Sequence, residues 1–292
     1  MTAPGPELPD RLFDGLFDDA ALFPPGDAPM AAAVPAHRDL RARLGALVGP
    51  FVVPAGRLEE LVACLGAGAP LDVSLIASAA DLPAAVARVA TEPGLALAAV
   101  EVPVVAGAGA AAAAVRALDA VLPDGVPAAV EVPRTPARDE VLDALAGTAY
   151  RAKLRTGGLR AELFPAPAEL ADTLSACVAR GVAVKCTAGL HAALPRTDPA
   201  TGFRHHGFLA VLAACDALAG GAPADAAADR LAGTDADVLV AAVRSWSPER
   251  AARARSVFSS FGTCSVLEPV EDLVRLGLLP AGSLLPAGSV PA

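Results

Sequence analysis

The stretch from Ala149 to Thr187 reads AYRAKLRTGGLRAELFPAPAELADTLSACVARGVAVKCT. Two short runs suited to strands, Ala149–Arg155 and Val182–Thr187, enclose a helical pattern over Ala168–Arg180. Glycines follow each run, at Gly157–Gly158 and after Ala188 at Gly189. A strand, a crossover helix and a second strand within this length form a βαβ unit, in which the two strands lie parallel in one sheet.

The same alternation continues in both directions. Upstream, strand-like runs fall at Leu16–Phe23, Pro50–Pro54, Leu71–Ala77, Leu95–Val105 and Ala128–Pro133. Helical patterns follow them through His37 to Leu47, at Arg57–Leu65, near Leu82–Ala90, along the alanine-rich run to Leu122, and at Arg138–Leu145. Downstream, helical patterns near Gly207–Leu218 and Asp235–Ser245 precede an eighth run, Val257–Cys264, and a last helix near Pro269–Leu276. Eight strands, each followed by helix, predict an α/β protein with a single-domain (β/α)8 TIM barrel over residues 1–277. A doubly wound sheet is the alternative. Residues 192–256 read as an insertion, and 278–292, with LLPAGS repeated, as a disordered tail.

The 292 residues suit one barrel, and 54% hydrophobic content supplies its core. A net charge of −9 argues against nucleic acid as a partner, since phosphate contact needs a basic face. Without a long apolar run or a basic leader before one, the expectation is a cytoplasmic protein with no membrane partner. The five cysteines lack C-x-x-C spacing and read as free thiols, with Cys186 packing behind the barrel. A homo-oligomer is compatible with all of this, and no cofactor or metal is expected.

Of 23 cationic side chains only two are lysines, Lys153 and Lys185. In so arginine-rich a background, a retained lysine points to a role arginine cannot fill, because only lysine readily loses its proton. The two stand 32 residues apart at the ends of adjacent strands, so their ammonium groups are expected to converge at one mouth. Alternation puts Lys153 with Arg155, and Lys185 with Thr187, on one face. Asp18 or Asp19, Glu101 and Glu131 occupy equivalent strand ends. Interior salt bridging would explain such a set. So would chemistry: at a pKa of ~10.4, about one lysine in 2,500 is neutral at pH 7, and a neighbouring cation with desolvation would raise that fraction.

These segments resemble class I deoxyribose-phosphate aldolases, a family of Schiff-base barrels. K-L-R-T-G-G from Lys153 is similar to the family's K-T-S-T-G-F, which carries the Schiff-base lysine. K-C-T-A-G-L from Lys185 is similar to K-x-S/A-G-G, which carries the activating lysine. G-T-C-S at Gly262, Thr263, Cys264 and Ser265 resembles the phosphate-contacting G-T/A-S-S, and F-D-D-A-A-L-F-P matches I-D-H-T-L-L-K-P with Asp18 on its aspartate. Glu101 lies on the strand of the family's catalytic aspartate, one methylene longer. The resemblance touches five of the eight strands, and it departs after Lys185, where Gly262 follows only 77 residues later.

It implies a class I aldolase-like carbon–carbon lyase acting on a small anionic carbonyl substrate, phosphorylated or carboxylated. Lys153, Lys185, Glu101 and Asp18 would be catalytic. Substrate would be held by Glu131, Arg155, Gly157, Gly158, Thr187, Gly189, Gly262, Thr263 and Ser265. The glycines serve turn geometry equally well. His191, His205 and His206 are further expected contacts, outside the family pattern; a histidine with Glu101 and Glu131 is a metal-ligand combination, but adjacent His205 and His206 diverge. Alternatives are a barrel isomerase or decarboxylase using Lys/Glu acid–base chemistry without a covalent intermediate, and a non-catalytic metabolite-binding barrel.

Overall fold

The computed structural model describes residues 11–104 and 109–284. Eight parallel strands close into a barrel in which each strand neighbours the next in sequence and the last returns to the first. They are β1 (Phe17–Asp19), β2 (Val48–Pro54), β3 (Leu71–Ile76), β4 (Leu95–Val102), β5 (Ala128–Glu131), β6 (Arg151–Arg155), β7 (Val184–Thr187) and, after a short antiparallel hairpin of β8 (Arg196–Thr197) and β9 (Arg204–His205), β10 (Phe258–Thr263). The chain is thus a single-domain (β/α)8 barrel.

The strands are shorter than the apolar runs that mark them. Leu16–Phe23 contributes only Phe17–Asp19, because Asp19 Oδ1 accepts the Ala21 amide and the backbone turns there. Helices follow the strands: α1 (Met30–Leu44), α2 (Leu58–Cys64), α3 (Leu82–Ala90), α4 (Ala110–Val121), α5 (Arg138–Leu145) and α6 (Pro167–Ala179). In α3, Leu82, Ala85, Val86 and Val89 form the buried stripe, spaced as one face of a helix requires. Pro83 there, and Pro167 in α6, sit at helix starts, where proline's missing N–H costs nothing.

The insertion is built from helices. After α7 (Phe208–Ala219) come α8 (Ala224–Ala232), α9 (Ala236–Arg244) and α10 (Pro248–Val257), then β10 and α11 (Leu267–Arg275). Sequence periodicity does not single out α8 or α10. Every residue from Phe208 to Leu218 is buried, because α6, α8 and α10 pack around α7. That explains the unbroken FLAVLAAC, which has no polar face to show. Asp216, buried within α7, is held by Arg250 at 2.6 Å and Arg253 at 3.2 Å, both from α10. Phe208 also meets Phe17 and Phe261 at ring separations of 5.7 and 5.4 Å, locking α7 onto β1 and β10.

The expected tail starts later than residue 278. Leu278 is buried, Leu284 packs against the core, and the Leu284 carbonyl accepts from Arg43 of α1. Burying leucines on α1 and α11 offsets the chain entropy that a polar tail would keep, at ~1.5–3 kcal/mol per side chain. Residues 285–292 lie outside the described residues, as does the N-terminal decapeptide. No described helix is long and apolar enough to cross a membrane.

Candidate functional site

Register assembles the site before any side chain is considered. Glu131 pairs with Lys153, Lys153 with Lys185, and Lys185 with Ser260, one residue from each of β5, β6, β7 and β10. Residues level with each other in neighbouring strands share a face, and this face is the barrel interior. Cys186 points the other way and is buried against the outer helices.

The charges in this layer are paired in a chain. Lys153 Nζ lies 2.8 Å from Glu101 Oε2, and Lys185 Nζ lies 2.5 Å from Glu101 Oε1, so both ammonium groups sit on one buried carboxylate. Lys185 also contacts Asp18 Oδ2 at 2.6 Å, and Lys153 reaches Glu131 at 3.6 Å. Glu131 in turn faces Arg155 at 3.5 Å. Two hydroxyls complete the set: Ser74 donates to Glu101 at 2.8 Å and Ser260 to Asp18 at 3.0 Å.

Burial works against every charge here, and the partners decide who keeps one. For Glu101, desolvation is overcome by Lys185 and Lys153, which hold the carboxyl well below its usual range. For Lys185, desolvation is overcome by Asp18 and Glu101, which hold the ammonium above its ordinary value. Asp18 goes the other way: burial pushes its carboxyl up despite Lys185, and the Glu101 charge adds to the rise. Two carboxylates around one ammonium do not share it equally. Glu101 keeps the charge and Asp18 is where a proton lands first. The adjacent Asp19 takes no part, since it faces α1 and bonds His37 Nδ1 at 2.9 Å.

Above the chain opens a cavity of about 580 Å³ at the C-terminal ends of the strands. Glu101, Glu131, Lys153, Arg155, Lys185, Thr187, Gly158, His191 and Gly262 line it. Most of the remaining wall is apolar, including Phe23, Val52, Ile76, Leu159 and Leu163, with Arg160 at the rim.

Several expected contacts stand elsewhere. Gly157 and Gly189 face each other: a Cβ on Gly157 would come within 2.8 Å of the Gly189 Cα, and Gly189 has φ +79°. They let two strand-end turns touch and do not line the cavity. His206 is buried and bonds the Pro165 carbonyl at 2.8 Å. His205 lies against the Phe164 ring at 4.6 Å and bonds the Gly189 carbonyl at 3.3 Å. Burial lowers the pKa of both histidines. Thr263 closes its own turn through the Ser265 carbonyl, so neither residue lines the cavity. His191 does line it, with its Nδ1 2.9 Å from Glu268 and Cys264 beside it at 3.9 Å. Among the described residues, no cluster of three or more His, Cys, Asp and Glu is placed to hold a metal ion.

Ser74 and Ser260 were not singled out from the sequence. Ser74 had a signal: it is the polar residue within the apolar strand LDVSLI. Ser260 had a weaker one, in standing two residues before Gly262 on the same face. Comparison of the chain with protein-family models, with curated proteins and with solved structures found no match.

Proposed function

We propose that the barrel is a class I aldolase-like carbon–carbon lyase in which Lys153 forms a Schiff base with a small anionic carbonyl substrate. The observation that carries this reading is the seating of both lysines on opposite oxygens of Glu101, at the floor of a cavity where barrel enzymes place their chemistry. Lys185 is clasped between two carboxylates as a permanent cation. Lys153 has one of its two carboxylate partners, Glu131, at the longer distance of 3.6 Å, and is the amine left to react.

In this reading Lys153 gives its proton to the carboxylate chain and adds to the carbonyl carbon. Loss of water leaves an iminium. Cleavage of the neighbouring carbon–carbon bond sends its electron pair into the iminium as an enamine. The proton of the β-hydroxyl passes into the Glu101–Lys185–Asp18 chain, with Asp18 its natural acceptor. Protonation of the enamine carbon and hydrolysis then return Lys153. Arg155, with Arg160 at the rim, suits a phosphate or carboxylate on the substrate, and the apolar wall accommodates its carbon chain.

A second reading has its own support. The buried chain of Glu101, Lys185 and Asp18 can pass protons along its hydrogen bonds, which fits an isomerase or decarboxylase that never forms a covalent intermediate. Borohydride reduction in the presence of short aldehydes and ketones separates the two. The lyase reading expects a reduced adduct on Lys153, located by peptide mass spectrometry. An adduct on neither lysine with a substrate that is turned over would remove it in favour of acid–base chemistry.

A further inference from the structure

The barrel has a second cavity, of about 320 Å³, at the opposite, N-terminal end of the strands. Barrel interiors are usually filled there by bulky branched side chains. Here Ala98, Ala99, Ala128 and Ala129 line the space and leave it open. Asp18 and Lys185 line it from above, so this ion pair separates the two cavities.

Two arginines face into this lower cavity. Arg151 begins β6 and Arg255 lies near the end of α10. Arg255 Nη2 is anchored to the carbonyls of Asp14 and Ser259, at 3.0 and 2.6 Å. Its Nη1 is buried and has no partner among the described residues. Neither guanidinium pairs with a described carboxylate, and Asp18 acts on both only through space. Burial pushes Arg255 down to about 10, a fall that the charge of Arg151 deepens. The other polar groups of the wall are engaged: Ser259 donates to the Val184 carbonyl and Ser260 to Asp18. Two partly buried cations side by side, one with a buried donor left without a partner, are costly unless an anion completes them.

We infer that the lower cavity is a binding site for a small oxyanion, a phosphate ester or a carboxylate, held between the guanidinium groups of Arg151 and Arg255. Planar guanidinium forks match both chemistries by paired hydrogen bonds, and a cavity of this size takes a few-atom ion, not a polymer. This site is independent of the lyase reading, since Arg155 and not Arg151 faces the upper cavity.

The test is calorimetric titration with inorganic phosphate and with malonate, alongside thermal unfolding in phosphate and in chloride of equal ionic strength. The parent protein is expected to bind one of the two saturably and to unfold at higher temperature in it. Preference for phosphate assigns the site to esters, preference for malonate to carboxylates, and either supports it when the binding is lost in Arg151→Met. Arg151→Met should weaken binding at least tenfold, and Arg151→Lys, which keeps the charge but not the fork, should also weaken it. Arg155→Met should leave it in place. No saturable response to either anion overturns the inference. So does binding that survives Arg151→Met and Arg151→Lys but disappears in Arg155→Met, which would put the ion at the upper mouth.

Discussion

The two ends of the barrel handle buried charge in opposite ways. At the C-terminal mouth, Lys153 and Lys185 each touch two carboxylates, and one of those, Glu101, is common to both. At the N-terminal end, Arg151 and Arg255 share a cavity with carboxylates acting only from a distance. The upper set is balanced within the chain. The lower set is left to be balanced from outside. An internally balanced cluster can exchange protons among its members without importing a counter-ion, which suits catalysis. An unbalanced one suits capture of a charged ligand.

The comparison breaks most sharply at Lys153. Replacing it by arginine keeps a cation in the upper cluster but removes the amine that the proposed lyase reading makes the nucleophile, so on that reading turnover and borohydride labelling should both vanish. Full activity in Lys153→Arg, assayed on the substrate that labels the parent, would mean that charge balance at the upper end serves structure alone.

Next in size is Lys185→Met. It leaves Asp18 and Glu101 buried beside each other without their shared cation, at a cost of about 3–5 kcal/mol. The pH dependence has a definite sign. In the parent, Glu101 is depressed, so its contribution is present above the unfolded carboxylate pKa and lost as pH falls through its folded value. Lys185 is raised, so its contribution is present below its unfolded pKa and lost as pH rises through its folded value, above the ordinary lysine range. In Lys185→Met, Glu101 keeps Lys153 while Asp18 loses its cation and should rise further above its unfolded value, so stability should gain in acid relative to neutrality. Urea unfolding from pH 4 to 9 checks this; a flat profile would show that the carboxylates find other partners.

Within the cluster, Asp18→Asn should cost less than Glu101→Gln. Burial pushes the Asp18 carboxyl up and Asp18 holds one ammonium group, whereas Glu101 is held low by two. The expectation is about 1–2 kcal/mol against about 3–5 kcal/mol, measured by the same unfolding. Equal losses would mean that Asp18 carries as much of the balance as Glu101.

The smallest effect belongs to the lower end. Arg151→Met, in buffer without phosphate or carboxylate, should change stability by under about 1 kcal/mol, toward stabilisation, because it relieves one of two like charges. A large loss in thermal unfolding would reveal a structural partner for Arg151 and weaken the contrast between the two ends.

Much of this was legible in the residues. The βαβ unit of Ala149–Thr187 marks two parallel neighbours, and α3 and α5 span Leu82–Ala90 and Arg138–Leu145 as their apolar spacing predicts. The scarcity of lysine drew attention to the two residues that meet at Glu101. The histidines were a poorer guide: His206 is tied to Pro165 and His205 to Gly189, and nothing in TGFRHHGF distinguishes such structural bonds from contacts with a substrate. Likewise the sequence offers Gly157 and Gly189 equally as substrate contacts and as turn residues, and in the structure each makes room for the other. The helices α8 and α10 were missed because they are short, alanine-rich and polar, with only Ala227 and Leu231 buried in α8 and Ala251 and Ala254 in α10, and it is the face of α7 that gives them a place.

The alternation of strand and helix was already set in the residues, because periods of two and of 3.6 residues are local properties of the chain. Closure into a barrel in place of a doubly wound sheet was decided by the return of β10 to β1. The sequence by itself also determined that Lys153 with Arg155, and Lys185 with Thr187, would share a face, since alternation along a strand needs no partner. Only the tertiary structure decided which carboxylates meet those lysines, that Asp18 and not Asp19 turns inward, and that Arg151 and Arg255 come to share the lower cavity. Those outcomes depend on the register between strands and on contacts between residues far apart in sequence, such as Asp18 and Ser260, 242 residues apart. Register is set by packing across the whole barrel, and no local pattern encodes it.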